Sequence, residues 1–311
     1  MVRDAFAHAF AVTTAGAVLL TAAGTWWALR RAGTPLPRHA VPPREDPPML
    51  WPLPKSPTGD CVPRQFPVAD GPAFDAEDAR RLASVVTRAR HALVGAPPLP
   101  TTAHDGPSAR LVAGNCAFAH CALLLFPSRL GAAMEHLTHQ GLVPSAPVPS
   151  VVVRRRLGDR YGVPAADCDV WITRLHLTAG DRGNALPAVE VFLFPRTAPA
   201  LDHRIVESER LRRFEDHTAL QVHRPTRTLM EELFDAWCGD GGLLWEGGGY
   251  SPHEGQDGST VLYFVRDRGP DPAPAALERW ELNCPGDFRT FLADRPVDTA
   301  AVARAYGRFG Q

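Results

Sequence analysis

Asp216-His217-Thr218-Ala219-Leu220-Gln221-Val222 decides the reading of the fold, because an earlier stretch, Ala119-His120-Cys121-Ala122-Leu123-Leu124-Leu125, has the same form. Each carries a histidine at the head of an apolar, strand-like run, and each is followed by a helix-like segment. Each is answered downstream by a glutamate inside another apolar run: Val189-Glu190-Val191-Phe192-Leu193-Phe194 for the first and Trp280-Glu281-Leu282-Asn283 for the second. The two histidines, and likewise the two glutamates, are separated by roughly ninety residues, so one repeat length accounts for both offsets.

Alternation along a strand gives the pattern chemical meaning. His217, Ala219 and Gln221 point one way, while Thr218, Leu220 and Val222 point the other and can pack beneath a helix. Glu281 shares a face with Asn283, and Glu190 shares one with Phe192 and Phe194. A carboxylate in so apolar a strand costs several kcal/mol unless it is paired, protonated or bound to metal. Neutral imidazole and ionised carboxylate are good ligands for a divalent first-row metal. The alternatives are a core histidine at 120 bonded to backbone, a salt-bridged histidine at 217, and a Glu281 paired with Arg279 or Arg174.

Outward from these motifs, periodicity predicts a helix opened by the acidic turn Asp75-Ala76-Glu77-Asp78 and stopped near Gly95-Ala96-Pro97-Pro98. The first unit then reads as strand 116–126, helix 128–140 ended by Gly141, and strands 151–155, 169–177 and 188–194. The second reads as strand 218–222, helix 226–238, a short strand 243–246, a glycine-rich loop 247–258, and strands 259–266 and 279–283. A last helix starts near Asp298, whose side chain can cap it. Both units are β-α-β-β-β.

Two β-α-β-β-β units, each with a candidate ligand on its first and last strand, resemble the vicinal oxygen chelate superfamily, which includes glyoxalase I and the extradiol dioxygenases. The similarity spans residues 111–288. It implies an α+β fold in which two tandem βαβββ modules form a curved, barrel-like mixed sheet around a metal site. With the segments outside it read from their own composition and periodicity, the chain divides into an N-terminal apolar helix and Pro-rich segment (1–73), a helix and connector (74–110), the two modules (111–200 and 201–290) and a C-terminal helix (291–311). In the oxygenase branches of that superfamily two histidines and one glutamate hold Fe(II), which maps onto His120, His217 and Glu281. Mn, Ni or Zn would suit related branches. Glyoxalase-like members add a fourth ligand where Glu190 stands. The expected activity is therefore a mononuclear oxygenase or dioxygenase acting with O2 on a small organic acid or phenol. A glyoxalase-type isomerase, lyase or epimerase, and a non-catalytic sequestering protein of the bleomycin-resistance type, are the alternatives. Glu190, Gln221 and His176 are candidates for proton transfer, and Arg174, Asn283 and Tyr263 for substrate contact, with Arg174 able to grip a carboxylate through its fork.

Composition removes other classes. With 311 residues, 45% apolar content, 22% charge and a net charge of −1, the chain has a core to bury and no electrostatic footprint for nucleic acid. No GxSxG, HExxH or zinc-finger spacing is present. Six cysteines without a CxxC pair suit a reducing, cytoplasmic setting. Residues 9–29 carry no charge and are followed by Arg30 and Arg31; they read first as a helix packed on the body, with a membrane anchor and a cleaved signal as alternatives. Residues 34–72 are rich in proline and read as an extended strap or linker.

Overall fold

The computed structural model describes residues 72–100, 106–178, 185–252, 257–266 and 278–308. The apolar run at 9–29, the proline-rich stretch and Cys61 lie outside the described residues. Among the described residues no helix is long and apolar enough to cross a membrane.

The elements in chain order are α1 (Ala76–Val94), α2 (Pro107–Asn115), β1 (Cys116–Leu125), α3 (Leu130–His139), β2 (Val143–Pro144), β3 (Val148–Pro149), α4 (Val151–Tyr161), β4 (Trp171–Thr178), β5 (Ala185–Leu193), α5 (His203–Arg212), β6 (His217–Val222), α6 (Arg227–Cys238), β7 (Leu243–Ser251), β8 (Ser259–Arg266), β9 (Arg279–Pro285), α7 (Arg289–Ala293) and α8 (Thr299–Arg308). The strands form one mixed sheet in the order β2-β4-β5-β1-β6-β9-β8-β7, with β3 also on β4. The path runs from β2 to β7 without returning, so the expected curved mixed sheet is present and is open, not closed into a barrel, among the described residues. In each half the first strand lies parallel to the last, β1 to β5 and β6 to β9, and the two first strands meet antiparallel at the centre.

Residue alternation sorts the core into two faces. On the Leu220 face, Cys121, Leu123, Leu125, Val189, Val191 and Leu193 pack against α1 and α3, through residues such as Leu82, Val85 and Leu137. Leu220, Val222, Phe264, Trp280 and Leu282 continue that face and pack against Met230, Leu233 and Trp237 of α6. On the His217 face, Ala122, Leu124 and Phe192 meet Val153 and Leu157 of α4 and Ile205 and Val206 of α5, while Val265 meets Val302, Ala305 and Tyr306 of α8. Full burial of side chains such as Leu123, Leu125 and Leu220 contributes about 1.5–3 kcal/mol each before entropy is counted.

Two segments depart from the sequence reading. Residues 151–155 are helical, not a strand: the Ser150 hydroxyl caps Val153 N–H, and Gly162, at φ 67°, ends the helix in the left-handed region. The cap and the terminator outweigh the β-propensity of three successive valines, and the helix they bound carries Val153 and Leu157 into the same apolar cluster. The glycine run after Glu246 is not a loop from its first residue, since β7 continues through Gly247, Gly248 and Gly249 to Ser251. A side chain at Gly248 would collide with the Val261 carbonyl and the Leu292 side chain, so glycine is used there for close approach. Helices α2 and α5 were not foreseen. Asp75, Thr226 and Asp298 cap α1, α6 and α8.

Candidate metal centre

The register at the centre of the sheet places four ionisable groups on the His217 face. In the first half Ala122 pairs with Glu190, and His120 is two residues before Ala122. In the second half Ala219 pairs with Glu281, and His217 is two residues before Ala219. The halves therefore repeat one arrangement. Across the seam His120 lies opposite Ala219, and His217 lies opposite Ala122. Each alanine is thus flanked by a histidine on one side and a glutamate on the other, and its short side chain leaves room above the sheet.

His120 reaches this face through a β-bulge. The pairing of β1 with β6 shifts between Phe118 and His120, leaving Ala119 as an extra residue. Phe118 packs with the α1 and α3 side, so unbroken alternation would have carried His120 there too. The bulge reverses the alternation and turns the imidazole toward His217.

The side chains converge. The Nε2 atoms of His120 and His217 are 3.4 Å apart, and His217 Nε2 is 3.4 Å from Glu281 Oε2. Single ligand atoms of His120, His217 and Glu281 all lie within 4.8 Å of one another, and all three residues are buried. Glu190 Oε2 lies 3.7 Å from His120 Nε2, while its other oxygen accepts a 2.9 Å bond from Arg174 Nε. Burial acts to raise the Glu281 carboxyl, but the hydrogen bond with His217 and the nearby His120 outweigh it and hold the group at about 2. Burial likewise opposes ionisation of Glu190, and His120 and Arg174 reverse that. Burial depresses His120 despite the pull of Glu190 and Glu281. Ionised carboxylates beside a neutral imidazole are the protonation states that metal ligation requires.

The donor set fits a divalent ion. Among the described residues Glu281 Oε1 is buried without a hydrogen-bond partner, an expensive condition for a carboxylate oxygen. His217 Nδ1 lies 2.9 Å from the Glu215 carbonyl. A carbonyl only accepts, so Nδ1 carries a proton; in the neutral ring the lone pair then falls on Nε2, which faces the cluster and is the atom free to ligate. Two nitrogens and one carboxylate oxygen suit Fe(II), Mn(II), Ni(II) or Zn(II).

The other sequence-predicted residues are distributed around this group. Arg174 joins it through Glu190, and its buried Nη2 has no hydrogen-bond partner among the described residues. Tyr263 lies opposite Glu281 across β8 and β9, its ring 4.3 Å from the Arg279 guanidinium and 5.2 Å from that of Arg156. Burial and Glu281 push its hydroxyl well up, leaving a protonated donor. Asn283 accepts from Ser259 Oγ at 2.6 Å, and Gln221 spends its amide on the Asn283 carbonyl at 3.1 Å. His176 stands past a register shift in β4, two positions from Arg174, and among the described residues makes no hydrogen bond to the cluster. Arg279, the sequence-predicted partner of Glu281, makes a two-pronged contact with Glu246 at 2.8 and 3.0 Å, and its charge also helps to hold the Glu281 carboxyl down.

Sequence reasoning missed a second buried group beside the centre. Arg156 and Arg160 of α4 hold the Glu215 carboxylate at 3.2 and 2.8 Å, and Arg160 and Tyr161 also hold Glu209. The i, i+4 spacing of Arg156 and Arg160 is the signal that would have exposed it, had residues 151–155 been read as helix.

No family model and no curated protein matches the chain. Among solved structures the chain is similar to a triple mutant of 4-hydroxymandelate synthase from Streptomyces coelicolor, with a TM-score of 0.33 and 10% identity over 61% of this chain and 55% of that one. The match thus spans little more than half of that protein's length.

Proposed function

We propose that this chain is a mononuclear metal-dependent oxygenase in which His120, His217 and Glu281 hold Fe(II), acting on a small organic acid or phenol. The observation that carries the reading is the convergence of these three buried ligand atoms within 4.8 Å. When bound, the ion would supply Lewis acidity and open positions for substrate and O2. Arg174 is the residue to orient a substrate carboxylate, through its unpartnered Nη2. Glu190, ionised and anchored by Arg174, is the residue to accept a proton, with Gln221 and His176 as more distant candidates. Tyr263 donates from the opposite strand, and Asn283 lines the same face. Residues 111–200 and 201–290 are taken as two copies of one module, on the equivalence of their strand order and His-Ala-Glu register.

One observation favours a second reading, a glyoxalase-type isomerase, lyase or epimerase: Glu190 Oε2 is 3.7 Å from His120 Nε2, within reach of a fourth-ligand role. Metal analysis of protein purified without chelator, followed by oxygen uptake with candidate acids and phenols, tests both. The expected result is one divalent ion per chain and substrate-dependent O2 consumption. Metal without O2 consumption favours the second reading. Protein that takes up no divalent ion overturns both and leaves the sequestering alternative.

A further inference from the structure

His217 is the first residue of β6, and the carbonyl that orients its ring belongs to Glu215, outside the sheet. Glu215 sits in a turn after α5, in which Arg213 adopts φ 56° and Asp216 N–H bonds to the Arg213 carbonyl. No strand pairing fixes the direction of the Glu215 carbonyl. Its side chain is buried at 1% exposure and is gripped by Arg156 Nη1 and Arg160 Nη2. Both guanidinium groups project from α4, which also packs Val153 and Leu157 into the apolar cluster and sets Arg154 over the Trp171 ring of β4.

The geometry points to the Arg156–Glu215–Arg160 anchor as a positioning device: α4 fixes the Glu215 turn, the turn aims its carbonyl, and the carbonyl holds His217 with its proton on Nδ1 and its Nε2 facing the metal. Arg156 has a second arm, since its guanidinium lies 5.2 Å from the ring of Tyr263, the cross-strand partner of Glu281. One side chain of α4 therefore touches the supports of two of the three ligands. The inference rests on the reading of His217 as a ligand. Arg156, Arg160 and Glu215 touch neither ion nor substrate in this scheme.

Two measurements on the full chain test it. In metal-free protein, nitrogen NMR of the His217 ring is expected to show the Nδ1–H tautomer, and Glu215→Gln and Arg156→Met are expected to give a mixture. In Co(II) titrations followed by visible absorption, the same variants are expected to bind about 10–100-fold more weakly, as for other groups that orient a metal-bound histidine. Leu157→Ala, on the same helix but packed in the apolar cluster, supplies a loosened fold without touching the anchor; its tautomer and Co(II) affinity should remain those of the unmodified protein. Should Arg156→Met fail to fold, Arg156→Lys keeps the charge without the fork and should show a smaller loss in the same direction. Unchanged affinity and tautomer in the anchor variants overturn the inference, as does an equal loss in Leu157→Ala. If the unmodified protein takes up no Co(II), the metal reading fails, and the tautomer measurement alone decides whether the anchor sets the ring.

Discussion

The two halves of the sheet present the same three-residue register, histidine, alanine and facing glutamate, and yet treat it differently. In the second half both members face the cluster: Glu281 lies against His217 at 3.4 Å, and His217 is fixed from behind by the Glu215 carbonyl. In the first half Glu190 is drawn toward Arg174 at 2.9 Å and stands 3.7 Å from His120, whose Nδ1 has no partner among the described residues. Backbone register thus delivers a carboxylate to each position, while the neighbouring cation decides how far that carboxylate is free to ligate. The guanidinium at 174 is what sets the surroundings of Glu190 apart from those of Glu281.

The largest effect that would break this comparison lies in the ligands. His217→Ala and Glu281→Ala are expected to lower metal affinity by more than about 100-fold, beyond what removal of an orienting group costs. Glu190→Gln should stay within a few-fold of the unmodified protein, as read by metal content after dialysis. Equal losses at all four positions would make the halves equivalent and the site four-coordinate by protein.

Arginine substitutions sharpen it. Arg279→Met takes the cation from the buried Glu246 carboxylate and leaves it the Tyr306 hydroxyl, and removing one partner of a buried pair costs about 3–5 kcal/mol in chemical denaturation. Arg174→Met should cost less, because His120 still faces Glu190. It should also release Glu190 toward the cluster and raise Zn(II) or Co(II) affinity, by about tenfold if the new bond matches an orienting contact in worth. Unchanged or weakened affinity would show that Arg174 does not restrain Glu190.

The smallest effect concerns the acid limb of stability. Burial raises the Asp75 carboxyl, but the Asp78 N–H and the guanidinium groups of Arg210 and Arg196 outweigh it and hold the group at about 2. A carboxyl depressed in the folded state adds stability that is present above its unfolded value, about 3.9, and is lost as pH falls toward 2. Asp75→Asn should therefore flatten the decline in thermal midpoint between pH 4 and pH 2. A curve that keeps its slope removes Asp75 from that limb.

The parts of this architecture legible in the sequence are those governed by period and caps. The alternation that put Leu220 and Val222 under a helix and His217 opposite them is realised on β6, as is the cap expected at Asp298. Residues 151–155 misled because valine favours strands locally, whereas the Ser150 cap and the terminator Gly162 act over the whole segment. His120 was found by analogy to His217, not by alternation, which would have given it the face of Phe118. The buried arginines of α4 were invisible as partners because Glu209 and Glu215 lie 49 and 55 residues away from Arg160, on a helix and a turn that periodicity did not resolve.

The extra residue at Ala119 makes the effect of a length change in β1 depend on where it falls. Deleting Ala119 would let β1 and β6 pair without interruption, a sheet at least as well bonded as the present one. It would also make Phe118 and His120 consecutive, hence on opposite faces, where they already stand against Leu220 and Ala219. Deletion of Ala119 is therefore expected to keep His120 in the cluster, whereas deletion of Cys121 would set His120 and Ala122 on opposite faces and part the imidazole from His217 and Glu281.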